Sequence, residues 1–133
     1  MKYLLDTNVV IAFMRGQNSG LLERFESVPR EDKVLCTVVA GELLFGAAKS
    51  ERAAHSTAMV DALMAYLPMV PFDLAAARHF GTVRASLSRQ GQVIGPYDLQ
   101  IAAIALANDL TLVTHNTREF VRVPDLRLED WEA

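Results

Sequence analysis

With a single cysteine, Cys36, the chain can form no internal disulfide, and its three histidines (His55, His79 and His115) lack the close spacing of zinc ligands. Cys36, in KVLCT, is expected to pack in the core. No apolar stretch approaches the roughly 20 residues of a membrane span, because charged or polar side chains interrupt each one. Met1 and Lys2 run straight into the strand-like YLLD, without an apolar h-region and a small-residue cleavage site. No secretory signal is therefore expected, and the cytoplasm is the expected location. An excess of basic charge is missing too: 13 basic against 16 acidic residues give a net charge of −3, which argues against a generic polyanion-coating protein. It does not exclude nucleic acid, since a bound divalent cation would offset two negative charges and the arginines can gather on one face. Repeats, low-complexity segments, linkers and a GxGxxG fingerprint are all absent.

What is present is one domain's worth of chain, residues 1–133, with 51% hydrophobic content, ample for one continuous core. Short β-like runs alternate with longer helical ones, the signature of an α/β fold around a mainly parallel sheet. Tyr3 to Leu5, Val34 to Cys36 and Thr111 to Val113 read as strands; Met69-Val70 and Leu126 to Leu128 are weaker candidates suited to sheet edges. Between Asp73 and Gln90, a stripe of Ala76, Phe80, Val83 and Leu87 marks one helical face, with Arg78 and Arg89 opposite and Gly91 as a stop. From Pro96 onward, IAAIALA is apolar nearly all round and predicts a buried central helix. Asn18 to Ser27 and Arg52 to Leu67 predict two further helices, and another starts near Thr37.

Into these apolar stretches the chain sets three acids: Asp6 in LLDTNVVI, Glu42 in TVVAGELLFGAA and Asp98 in GPYDLQIAAIALA. Each has an ordinary reading. Asp6 can cap the helix that follows the first strand, Asp98 can interact with the helix dipole after Pro96, and Glu42 can occupy a single exposed face. Together they say more. In a parallel α/β sheet the C-terminal strand ends and the following helix N-termini share one edge, where ligands bind. Three carboxylates meeting there would repel one another by roughly 3 kcal/mol per pair at 5 Å and an effective dielectric near 20, and so call for a hard divalent cation or protons. Thr114, Asn116 and Glu119 follow the Thr111 to Val113 strand and place polar groups at the same edge. Turn and capping chemistry is the alternative for Thr114 and Asn116; Glu119 is a candidate additional acid of the site, with a solvated helix position as its ordinary reading. Arg118 and Arg122 are either phosphate clamps or surface charge.

LLDTN near the N-terminus, GELLFGA, IGPYDLQIAA and the closing LVTHNTREFVRVPDLRLEDW, taken in that order, resemble the PIN-domain ribonucleases, specifically the VapC-type toxins of bacterial toxin–antitoxin pairs. The resemblance spans essentially the whole chain. It implies an α/β/α sandwich and a Mg²⁺- or Mn²⁺-dependent endoribonuclease. By matching positions, Asp6 and Asp98 become metal ligands, and Glu42 a ligand directly or through water. Thr7, Asn8 and Thr114 become groups that orient ligands or waters. Many members carry an acid where this chain has Asn116, which implies one fewer charge and leaves a second ion in doubt. The family's chemistry is attack by a metal-activated water, leaving a 5′-phosphate and a 3′-hydroxyl. The implied substrate is structured RNA, with transfer RNA of the initiator type ahead of ribosomal RNA, and the implied phosphate contacts are Arg15, Lys49, Arg84, Arg89 and Arg118. A VapB-type antitoxin and a homodimer are the implied partners.

Two other classes compete. A phosphotransfer domain would need a second Asp where Asn8 stands, or an adjacent acid pair, and has neither. A non-catalytic PIN-like interaction module is the remaining rival, against which intact Asp6, Glu42 and Asp98 argue; within the nuclease reading, a housekeeping metal-dependent nuclease is the alternative to a toxin.

Overall fold

The computed structural model describes residues Met1 to Ala133 and forms a five-stranded parallel sheet flanked by seven helices. Strands β1 (Tyr3–Leu5), β2 (Lys33–Cys36), β3 (Met69–Val70), β4 (Thr111–Val113) and β5 (Leu128–Glu129) lie in the order β3-β2-β1-β4-β5. β1 is central, pairing Leu4 with Val34 on one side and with Leu112 on the other. Parallel neighbours need crossovers, and helices supply them. These are α1 (Thr7–Arg15), α2 (Ser19–Ser27), α3 (Thr37–Ala48), α4 (Ala53–Tyr66), α5 (Leu74–Arg89), α6 (Pro96–Ala107) and α7 (Thr117–Phe120).

Local chemistry sets the helix ends. The side chains of Asn18 and Asp73 accept from the backbone N–H groups of Leu21 at 2.9 Å and Ala76 at 3.0 Å, capping α2 and α5. Gly16, with φ 66°, ends α1 in the left-handed conformation that glycine takes without strain. Pro96 opens α6, where its missing N–H costs nothing. Ile101 to Ala105 of that helix are all buried, as expected of a helix apolar on every side. Ile101, Ala102, Ile104 and Ala105 join Leu4, Leu5, Val34, Leu35, Leu112 and Val113 in one cluster of 31 buried residues.

The structure departs from the sequence reading at a few places. β2 begins one residue earlier, at Lys33, a lysine only 3% exposed. Its ammonium donates to the Phe25 carbonyl at 2.7 Å and lies 3.8 Å from the Phe25 ring centroid, so the buried charge is satisfied in a way no apolar pattern reveals. β5 begins two residues later than Leu126, because Asp125 turns the chain at φ 66° and Leu128 pairs with Leu112. Cys36 is buried in the core as expected. On α5, Ala76, Val83 and Leu87 are buried, whereas Phe80 is half-buried and packs edge-on against Phe72 at 6.0 Å. β3 and β5 occupy the two edges, as their weak patterns suggested. No helix is long and apolar enough to cross a membrane.

Candidate functional site

The sheet order decides what meets at its C-terminal edge. β1 lies between β2 and β4, so the residues following those three strands are neighbours, and the Asp6 N–H donates to the Val113 carbonyl at 3.0 Å. Asp6, only 5% exposed, does two jobs at once. Its Oδ1 accepts from the Thr7 N–H at 2.8 Å, capping α1, and its Oδ2 accepts from the Thr114 hydroxyl at 2.9 Å. The capping reading of Asp6 therefore holds, and its second oxygen lies at the sheet edge against Thr114. Burial raises the Asp6 pKa, the Thr114 and Thr7 hydrogen bonds oppose this, and the charges of Glu42 and Glu119 add to the rise.

Glu42 lies half-buried on α3, between the buried Ala40 and Leu43, and its Oε1 accepts from the Thr7 hydroxyl at 2.7 Å. Thr7 thus bridges the first strand end to α3. Asp98, in the first turn of α6, has its carboxyl pushed up to about 6, first by burial and then by Asp6, Glu119 and Glu42. A carboxylate at a helix N-terminus normally gains from the dipole. Here burial and three like charges outweigh it.

Glu119 is not the solvated helix residue that the sequence alone favoured. Its Oε1 accepts from the Gly95 N–H at 3.2 Å, just ahead of α6, and its Oε2 accepts from the Asn116 side-chain amide at 2.7 Å. The negative charge that Asn116 lacks is thus supplied three residues later, with Asn116 holding the carboxylate. The Asn116 N–H in turn donates to the Thr114 hydroxyl oxygen at 3.0 Å. Asn8 is exposed and lines the adjoining groove with Thr7 and Glu42.

None of the four acids has a cationic partner: the ion pairs join the N-terminus to Asp32, Arg24 to Glu129, His115 to Asp130 and Arg127 to Asp109. The site offers oxygen donors alone, carboxylates backed by hydroxyls, the set that suits a hard divalent cation. No three of these acids bring ligand atoms within 4.8 Å of one another, although the charges of Asp6, Glu119 and Glu42 are felt at Asp98. A tighter trio, with potential ligand atoms all within 4.8 Å, forms at His115, Asp130 and Glu132. There His115 Nδ1 lies 3.0 Å from Asp130 Oδ2 and the Glu132 N–H donates to Asp130 at 2.9 Å, so these contacts tie the C-terminal segment to the turn after β4.

The basic candidates scatter. Lys49 lines the groove that contains Thr7, Asn8 and Glu42, a space of about 770 Å³, and Arg15 lines a second groove that also reaches Glu42. Arg84 lies elsewhere, over the Phe80 ring at 5.7 Å and beside a cavity of about 340 Å³ that contains none of the acids. Arg89 and Arg118 are exposed, and Arg122 donates to the Val93 carbonyl at 3.2 Å, bracing the loop before α6. Of these candidates, Lys49 and Arg15 line grooves that contain a site acid, Glu42. Two aromatic residues that the sequence reading passed over, Phe45 and Tyr97, line the same groove as Lys49. Adjacency of Tyr97 to Asp98 in GPYD was the available signal.

Thr114, fully buried, donates to Asp6 and accepts from Asn116, so Thr114→Val leaves a buried carboxylate oxygen and the Asn116 N–H without that partner. This substitution is expected to destabilise the fold by roughly 1–3 kcal/mol in chemical denaturation. It is also expected to weaken divalent-ion affinity by about 10- to 100-fold. Parental metal affinity in the variant would show that Thr114 serves packing alone.

Comparison with known proteins agrees with this geometry. The PIN domain family matches residues 3–126. The chain is 38% identical over 131 residues to the tRNA(fMet)-specific endonuclease VapC of Shigella flexneri and 40% identical over 131 residues to ribonuclease VapC2 of Haemophilus influenzae, with 98% of each chain covered in both cases. Among solved structures it is similar to DNA-bound VapBC from Salmonella typhimurium, with a TM-score of 0.93, 37% identity and 98% of each chain covered. It is also similar to VapBC-1 from nontypeable Haemophilus influenzae, with a TM-score of 0.90 and 31% identity over the full length of both chains.

Proposed function

The chain belongs to the PIN-domain family, and from that premise we propose that it is a VapC-type toxin: an endoribonuclease that residues 1–133 form as one domain. The activity is hydrolysis of RNA, and the favoured substrate is initiator transfer RNA, the specificity carried in the names of relatives that are 38% and 37% identical. Its partner is a VapB-type antitoxin, in keeping with the VapBC complexes it resembles, and it forms a homodimer and a toxin–antitoxin hetero-oligomer in the cytoplasm.

The observation that carries the reading is the convergence of Asp6, Glu42, Asp98 and Glu119 at one sheet edge with no lysine or arginine paired to any of them, an arrangement that, with burial, pushes the Asp98 carboxyl up to about 6. Such frustration is relieved by a cation, and perturbed acids cluster at functional sites. In the proposed site Asp6 and Asp98 would hold Mg²⁺ or Mn²⁺, with Glu42 and Glu119 contributing directly or through water. Once bound, the ion supplies a more acidic water and neutralises charge on the phosphate. Thr7 and Thr114 fix the carboxylates of Glu42 and Asp6 in orientation, and Asn116 does so for Glu119. Asn8, exposed in the groove, orients water or phosphate oxygen. An antitoxin arginine placed at these acids would substitute its own charge for the ion's and so inhibit.

The test is direct. Purified protein incubated with initiator and elongator transfer RNAs is expected to cut the initiator with Mg²⁺ or Mn²⁺, leaving 5′-phosphate ends, and to stop when the metal is chelated. Cutting that persists at the same rate in chelator, or no cutting of any RNA, would remove the proposal.

A further inference from the structure

We propose that Tyr97 is a base-stacking residue for the RNA strand, and that Phe45 and Lys49 form another wall of the same subsite. This rests on the nuclease reading and says where a base beside the cut is held. Tyr97 lies in the first turn of α6, immediately before Asp98, with its side chain 60% exposed. Phe45 lies on α3, one helical turn beyond Glu42, and is 66% exposed. Both rings line the groove of about 770 Å³ whose other lining residues include Thr7, Asn8 and Glu42. Their exposure serves no core, yet they share the groove with Glu42, and Tyr97 precedes Asp98 in the chain.

The groove offers two kinds of chemistry. Hydroxyls, an amide and a carboxylate come from Thr7, Thr37, Asn8 and Glu42, while the aromatic faces come from Phe45 and Tyr97. Lys49 is the cation of the lining, its ammonium 5.1 Å from the Phe45 ring centroid. Single-stranded RNA has a counterpart to each, with a charged, hydroxylated backbone and bases whose faces stack on aromatic rings. A strand whose phosphate is drawn to the acids by their cation would lay a neighbouring base on Tyr97, one residue from Asp98. Lys49 then receives a phosphate farther along. Gln100, one turn after Tyr97 and lining the same groove, offers both a donor and an acceptor to a base edge. A peptide would also cover the two rings, but the mixed polar lining and the adjacency of Tyr97 to Asp98 favour a nucleotide.

The experiment uses the protein without antitoxin, with Mg²⁺ and the RNA it cuts, as parent, Tyr97→Ala and Tyr97→Trp. A second RNA carries an abasic residue on either side of the cut. Tyr97→Ala is expected to lower kcat/KM by about 10- to 100-fold, mainly through KM, and Tyr97→Trp to restore it. One abasic position is expected to reproduce the loss in the parent and add little in Tyr97→Ala. The proposal is overturned if Tyr97→Ala cuts at the parental kcat/KM, or if the abasic and Tyr97→Ala losses multiply. Parental cutting by Tyr97→Ala together with lost inhibition by antitoxin would assign the wall to a protein partner instead. Failure of the parent to cut any RNA overturns the nuclease reading and this subsite with it, whereas parental cutting indifferent to Tyr97 overturns the subsite alone.

Discussion

Asp98→Asn protein is expected to fold as the parent does and to cut RNA far more slowly, by more than the roughly 10- to 100-fold that outer groups around a metal typically contribute. The substitution is nearly isosteric and keeps an oxygen at the same place, so packing around α6 is preserved. What it removes is one negative charge from a group of four acids. The alternative role for Asp98, stabilising the N-terminus of α6, makes the opposite claim about stability: loss of the carboxylate would then cost about 0.3–1 kcal/mol. The site reading has the metal-free variant more stable than the parent at neutral pH, because repulsion from Asp6, Glu119 and Glu42 is relieved. Rates of RNA cutting and melting temperatures on the same preparations decide between them. Near-parental cutting, or a less stable metal-free variant, would remove Asp98 from the proposed ion site.

The second large effect is on the pH dependence of stability. A carboxyl raised from 3.8 in the unfolded chain to about 6 in the fold keeps its proton over a range where the unfolded chain has lost it. Below about pH 4 both states are protonated and the group is neutral in the balance. Between 3.8 and about 6 the folded state binds more protons, so its stability falls as pH rises, and above about 6 the full penalty is in force. The shift corresponds to at most about 3 kcal/mol, and solvent screening of a half-buried group lowers that. Asp6, raised for similar reasons, acts in the same direction. In chelator, the melting temperature of Asp98→Asn is therefore expected to gain on that of the parent as pH goes from 4 to 7. Adding Mg²⁺ or Mn²⁺ at pH 7 is expected to raise the parent, by about 2.7 kcal/mol at one hundred times the dissociation constant, and to raise Asp98→Asn much less. A difference between the two proteins that is flat in pH and untouched by metal would defeat the account.

These effects rest on two kinds of information that the chain encodes differently. Strand and helix identity was legible because periodicity and capping are local: the Asp73 cap, the Pro96 start and the stripe on α5 all lie within a few residues of what they control. Lys33 was not legible as a strand residue, because its partners, the Phe25 carbonyl and ring, belong to another element. The same division runs through the site. Asp6, Glu42 and Asp98 drew attention as ionisable groups in apolar surroundings, a local anomaly. Glu119 sits among ordinary polar residues, and its bonds to Gly95 and Asn116 form only when α7 folds back beside the start of α6.

The sequence by itself thus determined the class of fold, the order of its elements and three of its acids, since these follow from apolar spacing and from the cost of setting charge among apolar side chains. The tertiary structure decided that the Glu119 charge reaches Asp98 and Asp6, that Lys49 and Arg15 but not Arg84 share a groove with Glu42, and that Phe45 and Tyr97 line one groove. Those outcomes depend on β1 running between β2 and β4, which brings loops from distant parts of the chain to one sheet edge. Like-charge repulsion and aromatic exposure become meaningful only once the distances are set.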